Sequence, residues 1–339
     1  MSSTETPAQK LAGSVGGARR WRLKAAVAAA ATALLAASPA PALEKLVGGI
    51  AGQNSPTTWP YSIAMAKGML AMRGMEFDIV YGQSASNILQ QLVGGSVDLV
   101  VSTGINEPMH AAAKGAPVGI LRIVGKVPPY AIDAQKDIHS LKELKGKTIA
   151  IGGRTDITRL YFDRMLDPNG VHWGDYDAIV IGSTTGRLAA LKSGAVAATM
   201  LLPPYSFRAE AEGYNNLGLA VDYAADLPFT ASVLSVPWTQ KHPELARGIN
   251  EAFDEGLAWL DDPANKEEAI AILVKSGLPD DEVRQSYDFL RKIDFWAHDA
   301  KVSRGMLQKI VDNMRKIGDY DEAVDVNKLV IPNVTNIVD

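Results

Sequence analysis

The sequence predicts an α/β protein of two lobes with a cleft between them and a C-terminal helical extension. Apolar runs alternate with amphipathic stretches in strand, helix, strand order, the same order returns with related residues 99 positions later, and strand signals stop after Thr239. The chain has 339 residues, 47 % of them hydrophobic, which is a globular composition. It has no cysteine, so a disulfide framework, a thiolate metal site, a thiol nucleophile and a lipidated N-terminal cysteine are all excluded.

The elements follow in order. The cluster Arg19-Arg20-Trp21-Arg22-Leu23-Lys24 leads into an Ala-rich apolar run over 25–37 and then Ser38-Pro39-Ala40-Pro41-Ala42. This reads as a signal peptide over 1–42, with Ala40-Pro41-Ala42 as the cleavage site. A thirteen-residue run spans only about 20 Å as a helix, short of a bilayer core of about 30 Å, so a retained anchor is not expected. The paired arginines resemble a twin-arginine signal, while a Sec signal stays open because Arg22 stands where the former usually has an apolar residue. The leader holds five of the 34 basic residues and one of the 38 acidic ones. The remainder from Leu43 therefore carries 29 against 37, a net −8, which argues against a general nucleic-acid binder.

Past the leader, strands are expected at 45–51, 77–81 and 97–101, with helices over 57–73 and 84–93 between them. Ile88, Leu89, Leu92 and Val93 share one face of the second helix. A second series follows: strands at 147–151, 178–181 and 196–200, helices over 156–166 and 185–193. Shifted by 99, Leu89, Leu92, Gly95 and Val97 fall on Leu188, Leu191, Gly194 and Val196. Shared descent and shared strand-helix-strand physics both account for the match. Proline-bearing segments at 127–130 and 226–230 read as crossings between lobes, since proline ends regular structure. This divides the chain into 43–128 with 229–339 as lobe 1 and 129–228 as lobe 2. Helices dominate from Thr239, over 266–275, 281–290 and 303–317 and through Leu245, Ile249, Phe253, Leu257 and Leu260; they are expected to pack on lobe 1.

Ligands of such sheets bind outside the carboxyl ends of the strands. Five loops reach that position, at 52–59, 82–87, 102–107, 152–158 and 182–187. They are rich in glycine and small hydroxyl residues, which turn tightly, cap helices and leave N–H groups free for an anion. Each loop alone is ordinary helix capping; two sets facing one cleft would be a clamp. Arg154 opposes a helix dipole, so it calls for an anionic partner, either Asp156 or a ligand carboxylate or sulfonate. Trp59, Tyr61 and Tyr205 either line the cleft or belong to the core. Leu201-Leu202-Pro203-Pro204-Tyr205 reads as a strand end running into a proline-started helix on the cleft side. Metalloprotease, dinucleotide and P-loop signatures are absent from the sequence, and Gly182-Ser183-Thr184-Thr185-Gly186 has nucleophile-elbow spacing with threonine at its centre. The five histidines show no ligand spacing and read as surface or satisfied core residues. No cofactor, no metal and no catalytic group is expected.

The export signal, the two strand-helix-strand series and the segment Leu141-Lys142-Glu143-Leu144-Lys145-Gly146-Lys147 together resemble the solute-binding proteins of ABC importers. In particular they resemble the nitrate, sulfonate and taurine group, which includes thiamine-pyrimidine binders. Gly95-Ser96-Val97-Asp98 resembles that family's turn into its third strand. The resemblance implies a type II periplasmic binding-protein fold, a ligand held between hinged lobes, and delivery to a membrane permease and ATPase. It implies a soluble, unanchored monomer in the periplasm. It also implies binding by Ser55, Thr57, Trp59, Ser84, Ser86, Thr103, Arg154, Thr155, Thr184 and Pro203, to which Tyr205 is added from the residue reading. The expected solute is a small organic anion: a sulfonate, a taurine-like compound, nitrate or an aromatic carboxylate. The alternatives are a thiamine-pyrimidine binder, a pyrimidine-metabolism enzyme on the same fold, and an exported sensor subunit. The cysteine-rich segment of the eukaryotic pyrimidine-forming relatives is absent.

Overall fold

A computed structural model describes residues 43–51, 55–82, 84–154, 156–318 and 324–338; the leader expected over 1–42 lies outside them. The first half runs β1 (Glu44–Ala51), α1 (Trp59–Ala66), β2 (Met75–Gly82), α2 (Ala85–Val93), β3 (Leu99–Gly104), α3 (Asn106–Ala113) and β4 (Val118–Gly125). The second runs β5 (Ala131–Ala134), β6 (Thr148–Ile151), α4 (Ile157–Leu166), β7 (Asp177–Val180), α5 (Thr184–Lys192), β8 (Ala198–Leu201), α6 (Tyr205–Ala211), β9 (Asn215–Leu219) and α7 (Val221–Ala224). The chain then forms β10 (Thr230–Ser235), α8 (Val236–Lys241), α9 (Pro243–Asp261), α10 (Lys266–Val274), α11 (Asp280–Lys292), β11 (Lys301–Ser303), α12 (Arg304–Lys316) and β12 (Asn336–Val338). Among the described residues no helix is long and apolar enough to cross a membrane.

Two five-stranded sheets result, ordered β2-β1-β3-β10-β4 and β7-β6-β8-β5-β9, with β11 and β12 forming a separate pair. In each, three parallel strands are followed by an antiparallel fourth, and that fourth strand is the one entered directly from a crossing: β5 after 126–130 and β10 after 225–229.

The 99-residue offset is geometric as well as sequential. Ser84 Oγ accepts from Asn87 N–H at the start of α2, and Ser183 Oγ from Gly186 N–H at the start of α5. Both helices end in a left-handed glycine, Gly95 at φ 77° and Gly194 at φ 75°. Ser96 and Ala195 then donate back to the Gln91 and Ala190 carbonyls at 3.0 and 3.1 Å, which closes a Schellman turn in each. The offset also carries Pro129-Tyr130 of one crossing onto Pro228-Phe229 of the other. The two rings meet edge to face, 5.2 Å apart.

Several elements differ from expectation. The helix expected over 57–73 is interrupted: Pro56–Thr58 and Ala71–Arg73 are short 3-10 turns around α1, and Gly68 at φ 72° ends it in a left-handed conformation. β4, α3, β5 and β9 were not expected, nor were β11 and β12, two three-residue strands beyond Thr239 too short to show an alternating pattern. β4 is buried at every position, so it lacks the alternation that marks a half-exposed strand. Its one charged residue, Arg122, is 0 % exposed. The guanidinium pairs with Asp254 at 2.7 Å, donates to the Asn250 and Ala297 carbonyls at 3.2 Å each, and lies 3.7 Å from the Phe253 ring centroid.

The C-terminal helices pack on the first half. α9 places Ile249, Phe253, Leu257 and Leu260 at helical spacing into the core, each contributing on the order of 2 kcal/mol by burial. It crosses α1 so closely that a Cβ on Gly256 would stand 2.4 Å from the Pro60 carbonyl oxygen. The same helices also reach the second half. Arg208 of α6 forms a two-pronged ion pair with Glu282 of α11, both bonds 2.6 Å, beside Phe207 and Phe289 with rings 5.6 Å apart. Asp226 accepts from Lys309 of α12 and lies 3.5 Å from Arg164 of α4.

Candidate ligand cleft

A cavity of about 670 Å³ opens where the carboxyl ends of the parallel strands of both sheets face one another. From the first sheet, the end of β1 leads to Ser55 and Thr57, whose hydroxyls are 2.8 Å apart. The end of β2 leads to Ser84 and Ser86, and Ser86 donates to Glu107 of α3 at 2.9 Å. The end of β3 supplies Ser102, Thr103 and Gly104. Ser102 and Thr103 are 5 % and 3 % exposed, and neither hydroxyl has a hydrogen-bond partner among the described residues. Buried hydroxyls left unmatched cost stability unless something else bonds to them.

The second sheet contributes the corresponding loops. After β6, Gly152 and Gly153 turn toward Asp156, which caps α4 by accepting from Thr158 N–H at 2.8 Å and from its hydroxyl at 2.6 Å. Thr158 in turn accepts from Gly152 N–H at 3.1 Å. A Cβ on Gly152 would stand 2.8 Å from that hydroxyl oxygen, so glycine is needed for this approach. After β7 come Gly182, Ser183, Thr184 and Thr185, and after β8 come Leu202 and Tyr205. The crossings supply Tyr130, Phe229 and Thr230, so the ring pair lies on the cavity wall. Burial pushes the Tyr130 hydroxyl up to about 12, so it remains a donor at any ordinary pH.

Seven residues expected in the site thus meet here: Ser55, Thr57, Ser84, Ser86, Thr103, Thr184 and Tyr205. Thr155 lies outside the described residues. Three of the expected contacts, Trp59, Pro203 and Arg154, do not line the cavity, and neither does Tyr61. Trp59 is 2 % exposed and packs 6.0 Å from Trp296, because the short 3-10 turn before α1 directs its ring into the core. Tyr61 is core as well, against Phe253 at 4.8 Å, with its hydroxyl on Ser232. Pro203 is buried behind the Leu202 and Tyr205 that do line it. Arg154 is exposed and faces Trp173, its guanidinium 5.8 Å from the ring centroid, while Arg159 stacks on the same ring at 3.2 Å. Asp156 is engaged as a helix cap and forms no ion pair with Arg154.

The lining contains Glu107, Asp156 and His110, and neither lysine nor arginine among the described residues. His110, read from the sequence as an incidental histidine, stands on the same face of α3 as Glu107. Residue reasoning missed Tyr130, Phe229 and Thr230, although the proline-aromatic pairs of the crossings carried the signal: an aromatic directly after a chain reversal between two sheets sits at their junction.

The family model described as NMT1/THI5 like matches residues 55–265, more than half of the chain. The periplasmic aliphatic sulphonate binding protein SsuA of Escherichia coli is similar in structure, with 21 % identity, a TM-score of 0.67 and coverage of 85 % of this chain and 92 % of that one. The alkanesulfonate-binding SsuA of Xanthomonas axonopodis pv. citri, bound to MOPS, shows 19 % identity, a TM-score of 0.70 and coverage of 86 % and 99 %. The periplasmic nitrate-binding protein NrtA of Synechocystis PCC 6803 shows 20 % identity, a TM-score of 0.63 and coverage of 73 % and 71 %. A search of curated proteins gives no match. The fold is that of a type II periplasmic binding protein, two α/β halves with a cleft between them and a helical C-terminal extension.

Proposed function

Because this chain belongs to the NMT1/THI5-like family, we propose that it is the solute receptor of an ABC importer, exported to the periplasm and closing around a small organic anion. One observation carries the reading. Hydroxyl-capped helix starts from two sheets converge on a single cavity, and two buried hydroxyls there, Ser102 and Thr103, have no partner among the described residues. Helix N-termini favour negative charge, and a ligand touching both walls selects the closed arrangement. The lobes are 43–128 with 229–339 and 129–228, hinged at the two crossings. Ligand contacts come from Ser55, Thr57, Ser84, Ser86, Thr103, Thr184 and Tyr205. The receptor is a monomer without turnover of its own, and it hands its solute to a permease and ATPase.

Isothermal titration and thermal shift against nitrate, taurine, methanesulfonate, benzoate and a hydroxymethylpyrimidine test the reading. Saturable heat with one of the anions supports it. Heat only with the pyrimidine, or with none of the five, overturns the anion assignment.

A further inference from the structure

Arg187 is 2 % exposed in α5, directly behind the cavity wall. Its Nε donates to the Met200 carbonyl at 2.9 Å, Nη1 to the Ile181 and Gly182 carbonyls at 3.1 and 3.0 Å, and Nη2 to the Thr184 hydroxyl at 3.1 Å. Every acceptor is neutral. The other deeply buried guanidinium, Arg122, has Asp254 beside it, whereas no carboxylate lies within ion-pair distance of Arg187 among the described residues. A buried cation without a counter-ion is costly unless another charge completes it.

Its hydrogen bonds also set the direction of the loop. A planar trans peptide points N–H opposite to C=O, so turning the Ile181 and Gly182 carbonyls toward Arg187 turns the Gly182 and Ser183 N–H groups away from it. With those of Thr184 and Thr185, these N–H groups have no acceptor among the described residues, and all four residues line the cavity. Thr184, accepting from Arg187, keeps its own hydroxyl proton to donate. The 99-residue offset sharpens the comparison. The matching position in α2 is Ile88, fully buried in an apolar cluster, and the wall there carries Glu107 on Ser86 instead. The two halves share a frame and differ in charge at this point.

Resting on the receptor reading above, we infer that Arg187 makes the α5 wall the electropositive end of the cavity, where the acidic head of the ligand docks on the Gly182–Thr185 N–H groups. The opposite end, at Glu107, then favours a ligand's hydrogen-bond donor. Asp156, engaged in capping α4, the Tyr130 ring 6.0 Å from the guanidinium and Tyr205 are the other ionisable groups lining this side among the described residues.

The cysteine-free chain allows a direct test without any ligand. Thr185→Cys and Ser86→Cys place one thiol at each of the two equivalent positions, and the pH dependence of alkylation by iodoacetamide gives each thiol pKa. The thiol at 185 is expected below the free value of about 8.5, and at least about one unit below the thiol at 86. Adding Arg187→Met to Thr185→Cys is expected to raise it again, and Arg187→Lys to raise it less. Equal thiol pKa values at 185 and 86, or a thiol at 185 indifferent to Arg187→Met, overturn the inference. Should Arg187→Met not fold, Thr185→Cys with Arg187→Lys decides by the same shift. For any anion of the panel that the parent chain binds, Arg187→Met is expected to weaken binding about tenfold, the loss of one charge-assisted contact. A low thiol pKa at 185 with no anion bound would retain the charge assignment and reject the anion reading of the receptor.

Discussion

Glu282→Gln removes one charge from the ion pair that ties α11 to α6 while leaving the cavity lining untouched. The pair consists of two charge-assisted bonds of 2.6 Å between side chains 38 % and 17 % exposed, on Arg208 and Glu282 respectively. Exposed pairs are worth little, but two-pronged geometry and partial burial place this one at about 1 kcal/mol after solvent screening. Any motion that separates α6 from the C-terminal helices must break it. The variant should therefore lower the ratio of closed to open molecules about fivefold and weaken the apparent Kd of a bound anion by up to the same factor. Small-angle scattering of the ligand-free protein should show a larger radius of gyration, a readout that needs no ligand. Titration calorimetry gives the Kd. Unchanged scattering together with an unchanged Kd would refute the clamp, and the Phe207–Phe289 contact would then be holding the halves together without it.

Three further outcomes follow from the same geometry. Thr103→Val keeps the shape and removes a hydroxyl that has no partner, so thermal stability should hold or rise by about 1 kcal/mol while ligand affinity falls about fivefold; a loss of both would contradict it. Asp133, fully buried in β5 with no hydrogen-bond partner among the described residues, has its carboxyl pushed up to about 8 by burial and by Glu210. Its folded value lies above its unfolded one, so its contribution is complete below about pH 4 and is lost as pH rises toward 8, with a slope on the order of 1 kcal/mol per pH unit. Melting temperatures of Asp133→Asn across pH 5–8 should lack that slope, and an identical slope would mean another group is responsible. Arg154→Ala, at a side chain facing Trp173 outside the lining, should change anion affinity less than about twofold by titration; a loss of 1.5–3 kcal/mol, the value of a bond to a charged group, would put Arg154 on the ligand after all.

The sequence made the repeated unit legible because its punctuation is local. Ser84 and Ser183 as caps and Gly95 and Gly194 as left-handed stops act within one helical turn, so spacing alone reveals them. The hydroxyl loops were legible for the same reason. β4 was not, since burial on both faces erases alternation, and α3 was hidden by Pro108 within its first turn. The site was misread where the answer depends on which way a side chain leaves a short turn. Trp59 turns into the core and Arg154 onto an indole, whereas Arg187, one residue in an ordinary helix pattern, is buried behind the wall. Periodicity places a residue on a face; only the packed structure says what that face meets.

The antiparallel fourth strands have a consequence for how the chain can be divided. Counted by the 99-residue unit, β5 closes the first repeat and β10 closes the second, yet β5 sits in the second sheet and β10 in the first. Each repeat lends its last strand to the other, the arrangement of a strand-swapped dimer written into one polypeptide. A cut between the repeats would leave two fragments, each missing an interior strand that only its counterpart, or a second copy of itself, could supply.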